Sequence, residues 1–149
     1  MVVGTVAGMA KKAHSIFILA VPLLVAGLSA ARAETVSLVA HLLGGAAVPQ
    51  NKSDAFGEAQ FTYNSETRQL DYYVTYDGAS PTKIDIHGPA GPGETAMAIA
   101  SFPLSESPVI GKTILTKEQA DNLLAGKTYV DLHSQAYANG EIRGQIGKP

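Results

Sequence analysis

Apolar and polar residues alternate at period two in a series of short runs along this chain, with turn residues between them. That is the pattern of half-buried β-strands. Val36, Leu38, Ala40 and Leu42 point one way, and Ser37, Val39 and His41 the other. A loop follows from Gly44 to Gly57. A second run, Glu58 to Tyr63, ends in the turn Asn64-Ser65-Glu66-Thr67. A third puts Leu70, Tyr72, Val74 and Tyr76 on one face and Asp71, Tyr73 and Thr75 on the other, closed by Asp77-Gly78. A fourth, Thr82 to His87, buries Ile84 and Ile86 and stops at a run of glycines and prolines from Gly88 to Gly93. Further strands fit Thr95 to Phe102, Val109 to Leu115, Thr128 to Ser134 and Glu141 to Ile146.

One segment reads as a helix. Thr116 caps its start and Gln119 completes a capping box. Ala120, Leu123 and Leu124 form an apolar stripe, and Gly126 supplies a left-handed stop. About eight short strands and one short helix read as an all-β fold, an antiparallel β-sandwich or Greek-key barrel.

The first 33 residues break this pattern. Lys11 and Lys12 precede an apolar run from Ile16 to Ala31, which ends at Ala31-Arg32-Ala33, an A-x-A site. This is the arrangement of a secretory signal peptide. The expected cut follows Ala33, which leaves residues 34–149 as one domain. The run is too short for a spanning helix, which needs about 20 apolar residues. No cysteine is present to take a lipid anchor. The expected location is therefore secreted or periplasmic.

Charge then narrows the partners. Lys11, Lys12 and Arg32 leave with the signal, so eight basic residues face thirteen acidic ones, a formal charge of −5 with His neutral. Such a domain has no electrostatic footprint for nucleic acid or anionic lipid. Without cysteine, core packing and strand ladders must hold it together.

Four segments line up in order: Gly44-Gly45-Ala46-Ala47-Val48-Pro49; Ile84-Asp85-Ile86-His87-Gly88-Pro89-Ala90-Gly91; Leu123 to Ser134; and Gly140-Glu141-Ile142-Arg143-Gly144-Gln145. Together they resemble the CHRD domain, named after the animal protein chordin and present in many bacterial secreted proteins. The resemblance runs from about Val36 to Ile146. It implies an immunoglobulin-like all-β fold outside the cytoplasm. In chordin it implies binding of secreted growth factors, a partner class not carried over here. The chain departs from the family at Ala47, often glutamate, at Asp85, often the first histidine of a His-x-His element, and at Asp131, often asparagine.

The same small pattern occurs twice, as Ile84-Asp85-Ile86-His87 and Val130-Asp131-Leu132-His133. In each, the apolar residues share one strand face and the Asp and His share the other, about 7 Å apart along the strand. If the two strands lie side by side, Asp85, His87, Asp131 and His133 converge on one polar face. His41 is a further candidate. Glu141, Arg143 and Gln145 alternate on the last strand as a polar surface patch beside it. Two imidazoles and two carboxylates suit zinc or copper. The competing reading is structural: each Asp bonds a neighbouring His or a turn amide, Glu141 pairs with Arg143, and no cofactor is needed.

Catalytic schemes fit less well. Ser134 directly follows His133, and adjacent strand residues point to opposite faces. The glycine-rich segment lacks the Lys-Ser/Thr of a phosphate cradle and opens no helix. The leading expectation is a non-enzymatic extracytoplasmic binding module for a protein or small ligand. The alternative is a small zinc- or copper-binding protein built on the paired Asp-x-His strands, with redox activity among its expected roles.

Overall fold

The computed structural model describes residues 1–5 and 34–149. Residues 6–33 of the expected signal segment, with Lys11, Lys12, the apolar run and the A-x-A site, lie outside the described residues. Among the described residues no helix is long and apolar enough to cross a membrane.

Among the described residues eight strands form: β1 (Thr35–Leu43), β2 (Phe56–Asn64), β3 (Gln69–Asp77), β4 (Pro81–His87), β5 (Ala98–Ser101), β6 (Val109–Ile114), β7 (Tyr129–Ser134) and β8 (Ile142–Gln145). All pair antiparallel in one sheet of order β5-β4-β7-β8-β1-β2-β3-β6. The all-β expectation holds, and the sheet takes the nearly closed barrel form. β5 and β6 are its edges. The segment joining them bridges the gap, with the Phe102 ring stacked on Tyr72 at 4.0 Å between centroids.

Period two explains the interior. Leu38, Ala40 and Leu42 of β1, Ala59, Phe61 and Tyr63 of β2, and Leu70, Tyr72 and Val74 of β3 all turn inward. They meet Ile84 and Ile86 of β4, Val130 and Leu132 of β7 and Ile142 of β8 in one core. Each buried aliphatic side chain contributes about 1.5–3 kcal/mol over an exposed one. No disulfide supports them.

The helix α1 (Lys117–Leu124) begins as expected: Gln119 N–H donates to Thr116 Oγ1, and Thr116 N–H donates to Gln119 Oε1. Gly126 ends it with φ +70°. Ala120 and Leu123 are buried, but Leu124 is exposed, so the apolar stripe is narrower than expected. Two strands are also shorter. β5 starts at Ala98 rather than Thr95, because the Ala96 carbonyl accepts from His87 and the Ala96 N–H donates to the Tyr129 hydroxyl. Side chains take the groups a ladder would use. β8 covers only Ile142–Gln145 of the expected 141–146.

Candidate functional site

β4 and β7 are direct neighbours, with Lys83 opposite His133, Asp85 opposite Asp131 and His87 opposite Tyr129. β8 continues the rows, setting Tyr129 against Gln145 and Asp131 against Arg143. Since Ile84, Ile86, Val130, Leu132 and Ile142 fill the core, the intervening side chains all emerge on the opposite face. The sequence alternation alone therefore sets a polar grid on three adjoining strands. Both Asp-x-His pairs belong to it, and the two imidazole centroids lie 5.9 Å apart.

This face is not open to water. Asp85 is fully buried, and His87, Asp131, Glu141 and Arg143 are nearly so. Loops cover them. Arg143 Nη2 donates to the Gly91 carbonyl at 3.1 Å, and Gln145 Nε2 donates to Ala90 at 2.9 Å. From the loop after β1, Asn51 Nδ2 donates to the Gly140 and Glu141 carbonyls, and Ser53 Oγ to Glu141 Oε1. Gly140 has φ +116°, and a Cβ there would stand 2.5 Å from Asp131 Oδ1. Only glycine lets the chain pass so close over that carboxylate.

The expected surface patch is thus corrected: Glu141 and Arg143 are buried, and Gln145 is half-buried. The covering loops cause this. Glu141 and Arg143 do not pair with each other either. The Arg143 guanidinium lies 3.4 Å from the centre of the Tyr129 ring, which also stacks on His87 at 5.0 Å. His41 stands apart on β1. Its side chain is exposed, and its carboxylate neighbour is Glu58 at 3.5 Å.

The two histidines are held alike. His87 Nδ1 is 2.9 Å from the Ala96 carbonyl, and His133 Nδ1 is 3.0 Å from that of Ala138. A carbonyl only accepts, so each Nδ1 carries a proton, and the tautomer this selects has its lone pair on Nε2. Both Nε2 atoms are buried without a hydrogen-bond partner. Asp85 is in the same condition at both oxygens. Its Oδ2 lies 3.6 Å from His87 Nε2 and 2.5 Å from the Lys83 ammonium, an ion contact without hydrogen-bond alignment.

One ligand-type atom from each of Asp85, His87 and His133 falls within 4.8 Å of the other two. Two bonds of about 2.0–2.2 Å span at most about 4.4 Å. Three donors on one ion lie closer still, about 3.3–3.8 Å apart at those bond lengths, so side-chain shifts of up to about 1 Å bring the trio to ligand distance. Asp131 is adjacent but outside the trio, with Oδ2 4.0 Å from His133 Nε2.

Burial sets the charge states. It holds His87 below the ordinary imidazole value, helped by His133 and Lys83 and opposed by the Ala96 hydrogen bond and Asp85. It pushes Asp131 up to about 6, with Asp85 adding and His133, Arg143 and Lys83 opposing. A neutral His87 is the form that coordinates metal.

Sequence reasoning missed Lys83 and Tyr129 as members of the grid. Their parity was the available signal, since Lys83-x-Asp85-x-His87 and Tyr129-x-Asp131-x-His133 each share one face. The model of the CHRD domain matches residues 38–146. Among curated proteins and among solved structures, none matches the chain.

Proposed function

The chain belongs to the CHRD-domain family, and from that premise we propose that it is an extracytoplasmic, non-enzymatic binding module whose ligand is a transition-metal ion. The signal-like N-terminus supports export. The observation that carries the metal is the matched pair of imidazoles. Each donates Nδ1–H to a backbone carbonyl and keeps a bare, buried Nε2 on the side of its own aspartate, 3.6 Å from Asp85 Oδ2 for His87 and 4.0 Å from Asp131 Oδ2 for His133. Metal-ligating histidines are almost always fixed by such a bond on the second nitrogen. Orphaned buried acceptors without a ligand are costly, at about 1–3 kcal/mol each.

His87, His133 and Asp85 supply two nitrogens and one oxygen, a set suited to zinc or copper. Three protein ligands leave a coordination position open, as exchangeable sites do. The test is metal analysis of the protein isolated from its export compartment, followed by zinc titration of His87→Ala, His133→Ala and His41→Ala. The expected result is one ion per chain, affinity lowered about 100-fold or more by either of the first two changes, and none of that loss in His41→Ala. Metal content of zero, with the first two changes altering stability alone, is the result against the reading.

A further inference from the structure

The grid already holds a cation of its own. Lys83 lies on β4 two residues before Asp85, and its ammonium sits 2.5 Å from Asp85 Oδ2. The carboxylate is fully buried, whereas about half of the Lys83 side chain is exposed. The ammonium thus reaches inward from the solvent edge and neutralises a charge that would otherwise be buried alone. Across the ladder, Lys83 is paired with His133, so its stem borders the second imidazole as well.

We infer that Lys83 is a built-in competitor for Asp85 that selects between metals, resting on the metal reading of the site: it disfavours ions that need the carboxylate and spares those held by the two imidazoles alone. Zinc in a protein takes four ligands. To reach a third protein ligand here it must bond Asp85, which places a divalent ion beside an ammonium in a water-poor setting. Repulsion at such distances is strong, so the ammonium must leave. It can do so, because a long, half-exposed lysine stem can swing its head into water. Zinc binding therefore carries the cost of breaking the Lys83–Asp85 contact.

Monovalent copper differs. It is satisfied by two nitrogen donors in line and needs no carboxylate. Two metal–nitrogen bonds of about 2 Å set the donors about 4 Å apart, and one ring nitrogen of each imidazole already lies within 4.8 Å of the other. The bare Nε2 atoms of His87 and His133 supply both donors, and the Lys83–Asp85 pair stays in place. The residue that stabilises the metal-free domain thus sets which ion enters it.

Chelator competition with zinc(II), and with copper(I) under reducing, oxygen-free conditions, tests this in the protein and in Lys83→Met. The substitution should tighten zinc by about tenfold or more and change copper(I) affinity by less than about threefold. A second measurement needs no variant. Acylation of Lys83 by an amine-reactive reagent should rise when the unaltered protein is loaded with zinc and stay level with copper(I). Equal zinc affinities in the two proteins overturn the inference. So does equal tightening of both ions, which would make Lys83 a general charge and not a selector. Should the variant fail to fold, Lys83 reactivity decides, and no rise on zinc loading overturns the inference. If neither ion binds either protein, the metal reading itself falls and this inference with it.

Discussion

His41 lies 3.5 Å from Glu58, and His87 lies 3.6 Å from Asp85. The two pairs are chemically the same and almost equally spaced, yet they occupy different worlds. The first stands on the outer face of β1 and β2, with 71% of the His41 side chain and 40% of Glu58 exposed. The second stands on the outer face of β4, with 11% and 0% exposed. The contrast extends along the sheet. On β2 and β3, buried positions alternate with exposed or half-exposed ones. On β7 and β8, nearly every position on both faces is buried. What separates the halves is cover: loops fold over one outer face and leave the other bare. Distance between ligand-type groups therefore says little. Burial with missing hydrogen-bond partners is what distinguishes a site from a solvated pair.

Arg143 is the place to break this comparison most forcefully. It is 2% exposed, rests on the Tyr129 ring and holds the Gly91 carbonyl. A desolvated cation–π contact is worth about 2 kcal/mol, and a charged hydrogen bond about 1.5–3. Arg143→Ala should cost about 3–5 kcal/mol in urea unfolding and loosen the loop over the histidines. Gln60 occupies an outward position of the open half and bonds only Glu58. Gln60→Ala should stay within about 0.5 kcal/mol, as surface changes usually do. Equal losses would mean the two faces are not energetically distinct.

The architecture was more legible in the sequence than the cover was. Alternation along Val36–Leu42 and Leu70–Tyr76 identified the strands and their inward residues, because period two is a local property of the backbone. The capping box at Thr116 and Gln119 was equally local. The repeat of Asp-x-His correctly put each Asp and His on one face. Nothing in either segment says that β4 and β7 are neighbours, since more than 40 residues and two strands intervene. Nor does alternation reveal that the loops after β1, β4 and β7 fold over the grid. Glu141 and Arg143 therefore looked like surface residues. Leu124 looked buried for the opposite reason: the helix packs through Ala120 and Leu123, and nothing covers its next face.

Acidity sharpens the comparison at a smaller scale. In the metal-free domain, Asp131 is pushed up to about 6 from the usual 3.8, chiefly by burial. The folded state then holds this proton more tightly than the unfolded chain does. The Asp131 contribution is most favourable below about pH 4 and is lost as pH rises through about 6. His87 is shifted the other way, so its contribution is intact above the ordinary imidazole value and is lost as pH falls below it. Asp131→Asn removes the first slope. The difference in unfolding free energy between the parent and this variant should move against the parent by about 2–3 kcal/mol from pH 4 to 7. Denaturant melts at a series of pH values measure it. A flat difference would mean that Asp131 is as well solvated as the carboxylates of the open half.

The smallest effect belongs to the pair that began the comparison. His41 and Glu58 face each other across the β1–β2 ladder, directly opposite in register. Their charges meet in water, where an ion pair contributes under about 1 kcal/mol and salt screens it further. A double-mutant cycle of His41→Ala and Glu58→Ala should give a coupling below about 0.5 kcal/mol. In 0.5 M salt it should vanish. The matching cycle on His87 and Asp85 should give a larger coupling that salt barely changes, since these side chains are 11% and 0% exposed. The salt response is the sharper criterion of the two, because it reports solvent access directly whatever the size of the coupling. If the buried pair proved as salt-sensitive as the exposed one, the loops would not be sealing the face, and the bare Nε2 atoms of His87 and His133 would be meeting water instead of waiting for an ion.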